Sequence, residues 1–267
     1  MESRADSFNI LQTKFYPPNL TSDLVSRDRL RELLDGSQEV PLTLVSAPAG
    51  YGKSVLVCQW LDQYDGLVFW FSLDEEDSNL RQFMAHLVTN LQSQFPDQFQ
   101  PVWNLLRSKD KYSVAVMAGS LANCMAELNR PCTIVLDDYH NLRNDSAVHR
   151  FLDAFLKHPP PTAHIILATR HDPPLRLIRY RAANQLLEVR EHDLRFNESE
   201  TAVLISNLTN EVPGHEALIK LEEQFEGWAV GLRLTSMVLK QVENSDAFLR
   251  SLKGGIPHAQ EYLLSEV

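Results

Sequence analysis

Residues 42–54 read LTLVSAPAGYGKS: a largely apolar strand, a turn holding Gly50 and Gly52, then Lys53 and Ser54 where helical patterning begins. A buried strand that stops in such a turn and restarts as a helix leaves the first helical N–H groups unpaired, beside the positive end of the helix dipole. The backbone amides of Ala49, Gly50, Tyr51, Gly52, Lys53 and Ser54, with Val55 following, are therefore expected to wrap a pyrophosphate. Lys53 supplies a point charge to the β and γ oxygens, and the Ser54 hydroxyl is the expected Mg2+ ligand. The G-x-x-x-x-G-K-[ST] pattern is broken once, by Ala47, at the strand end where a methyl group is tolerable.

Composition narrows the partners. The chain has 267 residues, 44% of them hydrophobic and 22% charged, enough for one large core or two smaller ones. Its net charge of −10 argues against a broad nucleic-acid-binding face. The first 18 residues lack the apolar core of a signal peptide and no later run reaches membrane-spanning length, so a cytoplasmic protein is expected. Cys58, Cys124 and Cys132 stand apart in apolar segments and read as reduced core thiols; His140 and His171 follow strands without a second ligand at metal spacing.

Along the chain, strands are expected at 42–46, 67–73, 133–138, 164–169 and 186–189, with helical patterning between them at 53–64, 80–95, 113–128 and 147–157. Ser78 or Asp77 is the expected cap of the second of these helices, and the acidic run Asp74-Glu75-Glu76-Asp77 reads as a solvated turn. Strands separated by helical crossovers predict an α/β protein with a five-stranded parallel sheet covered on both faces. A short helix at 28–34 leads into it. Beyond residue 195 the pattern is all-helical: a capping box at Asn197 and Glu200 opens a helix to about 208, with others at 214–225, 228–242 and 246–252. The expected division is 1–41 as a lead-in contributing to the nucleotide site, 42–195 as an α/β core, 196–255 as a helical unit and 256–267 as the start of a further unit.

The strand at 133–138 ends in Asp137-Asp138. Asp137 is assigned to Mg2+, usually through water, and Asp138 to orienting or deprotonating the water that attacks the γ-phosphate. Arg170, just past the fourth strand, is either a γ-phosphate sensor, if that strand lies between the first and third, or a solvated strand-end arginine. Gly227 and Gly231 flank Trp228 and mark either close helix packing or the point where a helical lid meets the base.

These segments together resemble the amino-terminal ATPase module of the large ATP-dependent LuxR-type transcriptional regulators, within the signal-transduction ATPases with numerous domains. The residues that carry the resemblance are 47–54, the aromatic strand into Ser72-Leu73-Asp74, Val135-Leu136-Asp137-Asp138-Tyr139-His140, Thr13-Lys14-Phe15 through Pro18, Val25-Ser26-Arg27, Asp193-Leu194-Arg195-Phe196 and residues 226–232, EGWAVGL. The resemblance implies a P-loop NTPase with sheet order 2-3-4-1-5, which supports the sensor role of Arg170. It implies that Val25 and Arg27 lie near the adenine and that Gly231 and Leu232 pack near the base, although Ser26, Asp28 and Arg233 depart from the wider class.

It further implies a slow Mg2+-dependent ATPase that rests with ADP and self-associates with ATP, with 42–195 as the ATPase core, 196–255 as the helical lid and 256–267 as the start of a winged-helix unit. Inducer and DNA are bound only through domains this chain does not contain. Two other readings stay open from sequence: a small-molecule phosphotransferase, and a non-hydrolysing interaction module stabilised by nucleotide.

Overall fold

The computed structural model describes residues 8–240 except 22, 109, 111 and 211; the helix expected at 246–252 and the unit expected at 256–267 lie outside the described residues. The chain forms two compact units. Of the described residues, one unit takes 8–17, 34–46 and 61–188, and the other takes 18–33, 47–60 and 189–240.

In chain order the strands are β1 (Leu42–Ser46), β2 (Leu67–Ser72), β3 (Cys132–Asp137), β4 (Ala163–Thr169) and β5 (Leu186–Arg190). The helices are α1 (Asp28–Asp35), α2 (Lys53–Leu61), α3 (Leu80–Gln92), α4 (Gln100–Arg107), α5 (Val114–Ala126), α6 (Ala147–Phe155), α7 (Leu177–Ala182), α8 (Glu191–Leu194), α9 (Glu198–Thr209), α10 (His215–Phe225) and α11 (Ala229–Leu239). Sequence patterning gave no sign of α4 or α7. The first buries only Val102 and Leu106 and the second is six residues long, too few for a periodic signal.

In the first unit the five strands form one parallel sheet in the order β2-β3-β4-β1-β5. Every residue of β1, β3 and β4 is buried, as a parallel sheet covered on both faces requires. The register pairs Ser46 with Thr169, Leu136 with Leu167 and Ser72 with Asp137, which brings the carboxyl ends of the strands to one edge. Phe69, Phe71, Phe83, Phe151 and Leu167 pack the core beneath it, each contributing about 1.5–3 kcal/mol by leaving water.

In the acidic run after β2, Glu75 and Glu76 are exposed as a solvated turn requires, but Asp77 is not. Asp77 is fully buried: Lys14 Nζ donates to its Oδ2 at 2.7 Å, His86 Nδ1 lies 2.8 Å from its Oδ1, and the Asp74 N–H donates to it at 3.0 Å. Burial alone would raise the Asp77 pKa, but His86 and Lys14 hold it below the ordinary carboxylate value. Lys14 also reaches Asp74 at 2.6 Å, so an ion-pair cluster ties the amino-terminal segment to this unit. The cap of α3 is Asn79, whose Oδ1 accepts from the Arg81 and Gln82 N–H groups; Asp77 and Ser78 belong to the preceding turn.

In the second unit Val25, Phe196, Leu204, Leu221, Phe225 and Leu232 form a separate core. The capping box opens α9 as expected: the Glu200 N–H donates to Asn197 Oδ1 at 2.8 Å and the Asn197 N–H returns to Glu200 Oε2 at 3.1 Å. Residues 18–33 belong here, whereas 8–17 belong with the sheet, so the lead-in before β1 is divided between the units.

Candidate functional site

In the second unit the turn after β1 takes the backbone path that its glycines permit. Gly50 and Gly52 have φ of 79° and 78°, the left-handed region that side chains disfavour. They differ in surroundings: a Cβ on Gly50 would lie 2.7 Å from Trp228 Nε1 and 2.9 Å from Val230, whereas one on Gly52 would meet open space. Lys53, buried at the start of α2, donates from Nζ to the carbonyls of Ala47 at 2.8 Å and Pro48 at 2.9 Å. Ser54 and Val55 lie in the first turn of the same helix, which continues through the Leu56 N–H to the Gly52 carbonyl at 2.9 Å.

The cap and first turn of α11 fix the loop from outside. Trp228 Nε1 donates to the Ala49 carbonyl at 3.0 Å, and the Val230 N–H donates to the Gly50 carbonyl at 3.1 Å. A trans peptide holds its C=O and N–H on opposite sides. Anchoring these two oxygens therefore turns the N–H groups of Gly50 and Tyr51 the other way. The Tyr51 hydroxyl donates to Glu191 Oε1 at 3.1 Å; burial and the adjacent carboxylate push its pKa up to about 12, so it stays protonated.

Beside the loop lies a cavity of about 140 Å3 whose wall includes Val25, Arg27, Gly50, Val55, Ala229 and Val230. Arg27 is 5% exposed and lies 4.4 Å over the Phe196 ring. Its Nη2 donates to the Arg195 carbonyl at 2.8 Å and to Glu200 Oε2 at 3.1 Å, while its Nε has no partner among the described residues. Glu200 also receives Arg29. Burial alone would raise the Glu200 pKa, but Arg29 and Arg27 hold it below the ordinary carboxylate value.

Gly231 and Leu232 stand elsewhere. A Cβ on Gly231 would collide with Phe225 and Trp228, and Leu232 is buried in the helical core. On α11 the cavity is lined instead by Ala229, Val230 and Arg233, the last paired with Asp23 at 2.7 Å. Gly227 and Gly231 thus serve close packing within the helical unit. Phe196 and Trp228 carried no site role in the sequence reading, although both sit in segments that bear the family resemblance.

In the first unit the candidate residues fall at the carboxyl edge of the sheet. Asp137 ends β3 and is 5% exposed, and its carbonyl accepts from the Leu73 N–H at 3.0 Å. Asp138 adopts φ 54°, ψ 37°, uncommon for a residue with a side chain. Asn141 braces that turn by donating from Nδ2 to the Leu73 carbonyl at 3.0 Å. Arg170 follows β4, the strand between β3 and β1, and the His140 and His171 rings meet edge to face at 6.3 Å. The three cysteines form no disulfide among the described residues and are buried, and burial pushes the Cys132 thiol up to about 12.

A family model described as Nephrocystin 3, N-terminal, matches residues 20–170. The chain belongs to that family. The chain is 32% identical over 262 residues to the HTH-type transcriptional regulator MalT of Yersinia enterocolitica, covering 97% of this chain and 29% of that regulator. The chain spans less than a third of the length of the curated relatives it matches.

Two solved structures share the fold. A signal transduction ATPase with numerous domains, carrying a tetratricopeptide repeat sensor, from Pyrococcus horikoshii superposes with a TM-score of 0.66 at 16% identity, covering 94% of this chain and 34% of that one. A Walker-type ATPase of Pyrococcus abyssi gives 0.59 at 16% identity, covering 94% and 77%. The resemblance to MalT-type regulators and the P-loop ATPase fold therefore stand. Among the described residues, no helix is long and apolar enough to cross a membrane.

Proposed function

We propose that this chain is the adenine-nucleotide switch module of a MalT-like transcriptional regulator, binding ATP or ADP with Mg2+ and hydrolysing ATP slowly. The observation that carries the reading is the outward anchoring of the Ala49 and Gly50 carbonyls, which leaves the neighbouring amides turned together toward the opposite side. In this reading the amides of residues 49–54 hold the phosphates, and Lys53 exchanges its carbonyl partners for β and γ oxygens. The donor set suits Mg2+, a hard cation served by the hydroxyl of Ser54 and the carboxylate of Asp137. Bound there, the ion would neutralise charge on the phosphate oxygens.

Asp138 orients the attacking water and Arg170 answers to the γ-phosphate. The base lies in the cavity walled by Val25, Arg27 and Val230. Residues 1–41 contribute to the nucleotide site, 42–195 act as the ATPase core, 196–255 as the lid and 256–267 as the start of the next unit. Self-association accompanies ATP. DNA and inducer recognition belong to segments of the longer relatives outside this stretch, and the module works in the cytoplasm.

Calorimetric titration of ATP with Mg2+ tests the site directly. The Lys53→Ala variant is expected to bind at least about tenfold more weakly, the loss of one charge-assisted contact. Equal affinity in the two proteins would remove the loop from the nucleotide site.

A further inference from the structure

The left-handed backbone of Asp138 is a conformation that a residue with a side chain keeps only where its surroundings enforce it. The next residue, Tyr139, opens a single 3-10 turn, Tyr139–Asn141, and is 1% exposed. Its hydroxyl lies 2.7 Å from Nδ1 of His149, a buried residue of α6. The other ring nitrogen, Nε2, lies 2.9 Å from the Arg143 carbonyl. A carbonyl can only accept, so the imidazole proton sits on Nε2, Nδ1 is the acceptor, and the Tyr139 O–H donates to it. Burial holds the His149 pKa below the ordinary histidine value, which keeps the ring neutral near pH 7.

One imidazole thus ties both ends of the segment 139–143, a side chain at its start and a main-chain oxygen at its end. Within the segment the Asn141 N–H donates to the Asp138 carbonyl at 3.0 Å, and the Leu142 N–H to that of Tyr139 at 3.2 Å. The Arg143 N–H donates to Ser78 Oγ at 2.9 Å, which anchors the far end to the turn before α3. Deleting the imidazole would strand a phenolic donor in the core, a costly state. The hydroxyl regains a partner only if Tyr139 moves, and the adjoining backbone of Asp138 moves with it.

We propose, on the role given to Asp138 above, that His149 is a positioning residue for hydrolysis, acting through Tyr139 to hold Asp138 in the turn from which its carboxylate orients the attacking water. Tyr139 and His149 are 1% and 4% exposed, too buried to touch a ligand. The pair therefore governs kcat and leaves ATP affinity to the phosphate loop.

Three variants separate the contacts of the ring. Tyr139→Phe deletes the donor, His149→Leu deletes both ring contacts, and His149→Asn keeps an acceptor near the position of Nδ1. With Mg2+ and ATP, kcat is expected to fall about fivefold or more in the first two, the loss of one hydrogen bond, with KM and calorimetric affinity within about twofold of the parent. His149→Asn should return kcat to within about twofold of the parent. The double variant Tyr139→Phe/His149→Leu should be no slower than the slower single one, since both changes break the same bond. In the nucleotide-free chain the Asn141 amide, held by the Asp138 carbonyl, should exchange its hydrogen about fivefold faster in Tyr139→Phe and His149→Leu, and at the parent rate in His149→Asn. Melting curves establish that each variant is folded; should His149→Leu not fold, Tyr139→Phe and His149→Asn decide. Unchanged kcat or unchanged Asn141 exchange in Tyr139→Phe, a loss carried by KM, or His149→Asn as slow as Tyr139→Phe would overturn the proposal. Asp138→Asn in the same assay keeps the two levels apart. Slow turnover there beside parent-like Tyr139→Phe removes the positioning role alone, whereas parent-like turnover there, or none in the parent chain, removes Asp138 from the chemistry and the positioning role with it.

Discussion

Trp228 and Ala49, 179 positions apart in sequence, are joined by an indole N–H donating to a backbone carbonyl at 3.0 Å. The bond makes the helical segment of the second unit part of the loop's conformation. An isolated Gly-containing turn samples many states, and fixing one residue into a single backbone well costs about 1–2 kcal/mol. In the proposed nucleotide site, the Trp228 and Val230 bonds would keep that ordering cost from falling on nucleotide binding.

Replacing Trp228 by Phe keeps an aromatic ring and deletes the donor. We expect a loss of about 1 kcal/mol in stability, and ATP affinity reduced about five- to tenfold, because the Ala49 carbonyl is released to turn inward. Thermal melting with and without nucleotide, alongside calorimetric titration, separates the two effects.

The two loop glycines should respond differently to alanine. Gly52→Ala meets only the left-handed backbone penalty, about 1–2 kcal/mol, because nothing stands where its Cβ would go. Gly50→Ala meets that penalty and a contact of 2.7 Å with Trp228 Nε1, so it should be the more destabilised variant and should disrupt the bonds to Trp228 and Val230. Comparative denaturant unfolding settles the order; equal midpoints would mean that the α11 segment does not press on Gly50.

Asp138→Asn should bind ATP as the parent chain does and turn it over at least about a hundredfold more slowly, because asparagine tolerates the left-handed conformation but is a poor base. Single-turnover measurements are the direct check. Unchanged turnover would leave the strained backbone of Asp138 without a catalytic purpose.

His164 makes stability depend on pH. Its folded pKa of about 4 lies below the ordinary histidine value of 6.5, so below pH 6.5 the unfolded chain binds a proton that the folded chain refuses. The contribution is complete above pH 6.5, falls as pH drops toward 4, and totals roughly 3 kcal/mol. Urea unfolding at a series of pH values should show this slope in the parent chain and a flatter profile in His164→Leu.

The local elements were legible because their signals are local. Asn197 and Glu200 announce a helix start three residues apart, and Gly50, Gly52, Lys53 and Ser54 announce a loop within five. Within the acidic run Asp77 departs from expectation because charge usually means exposure. Asp77 is buried only because Lys14 arrives from 63 positions away and His86 from the next helix, and no window around Asp77 contains both. Gly231 and Leu232, expected near the base by resemblance, do not line the cavity beside the loop: a helix turns about 100° per residue, and the rotation of α11 presents Ala229, Val230 and Arg233 to it.

From the sequence alone came the alternation of strand and crossover, the Gly-containing loop into α2, the carboxylates at the end of β3 and the helical second half, all set by hydrophobic periodicity and backbone preference over short windows. The tertiary structure decided which carbonyls of the loop are tied back, which acid is buried, which face of α11 meets the cavity, and that His164 Nε2 is buried with no donor among the described residues. Those outcomes depend on pairs of groups far apart along the chain. Their energies arise from desolvation and hydrogen bonding once the fold has brought them together, and no local preference encodes them.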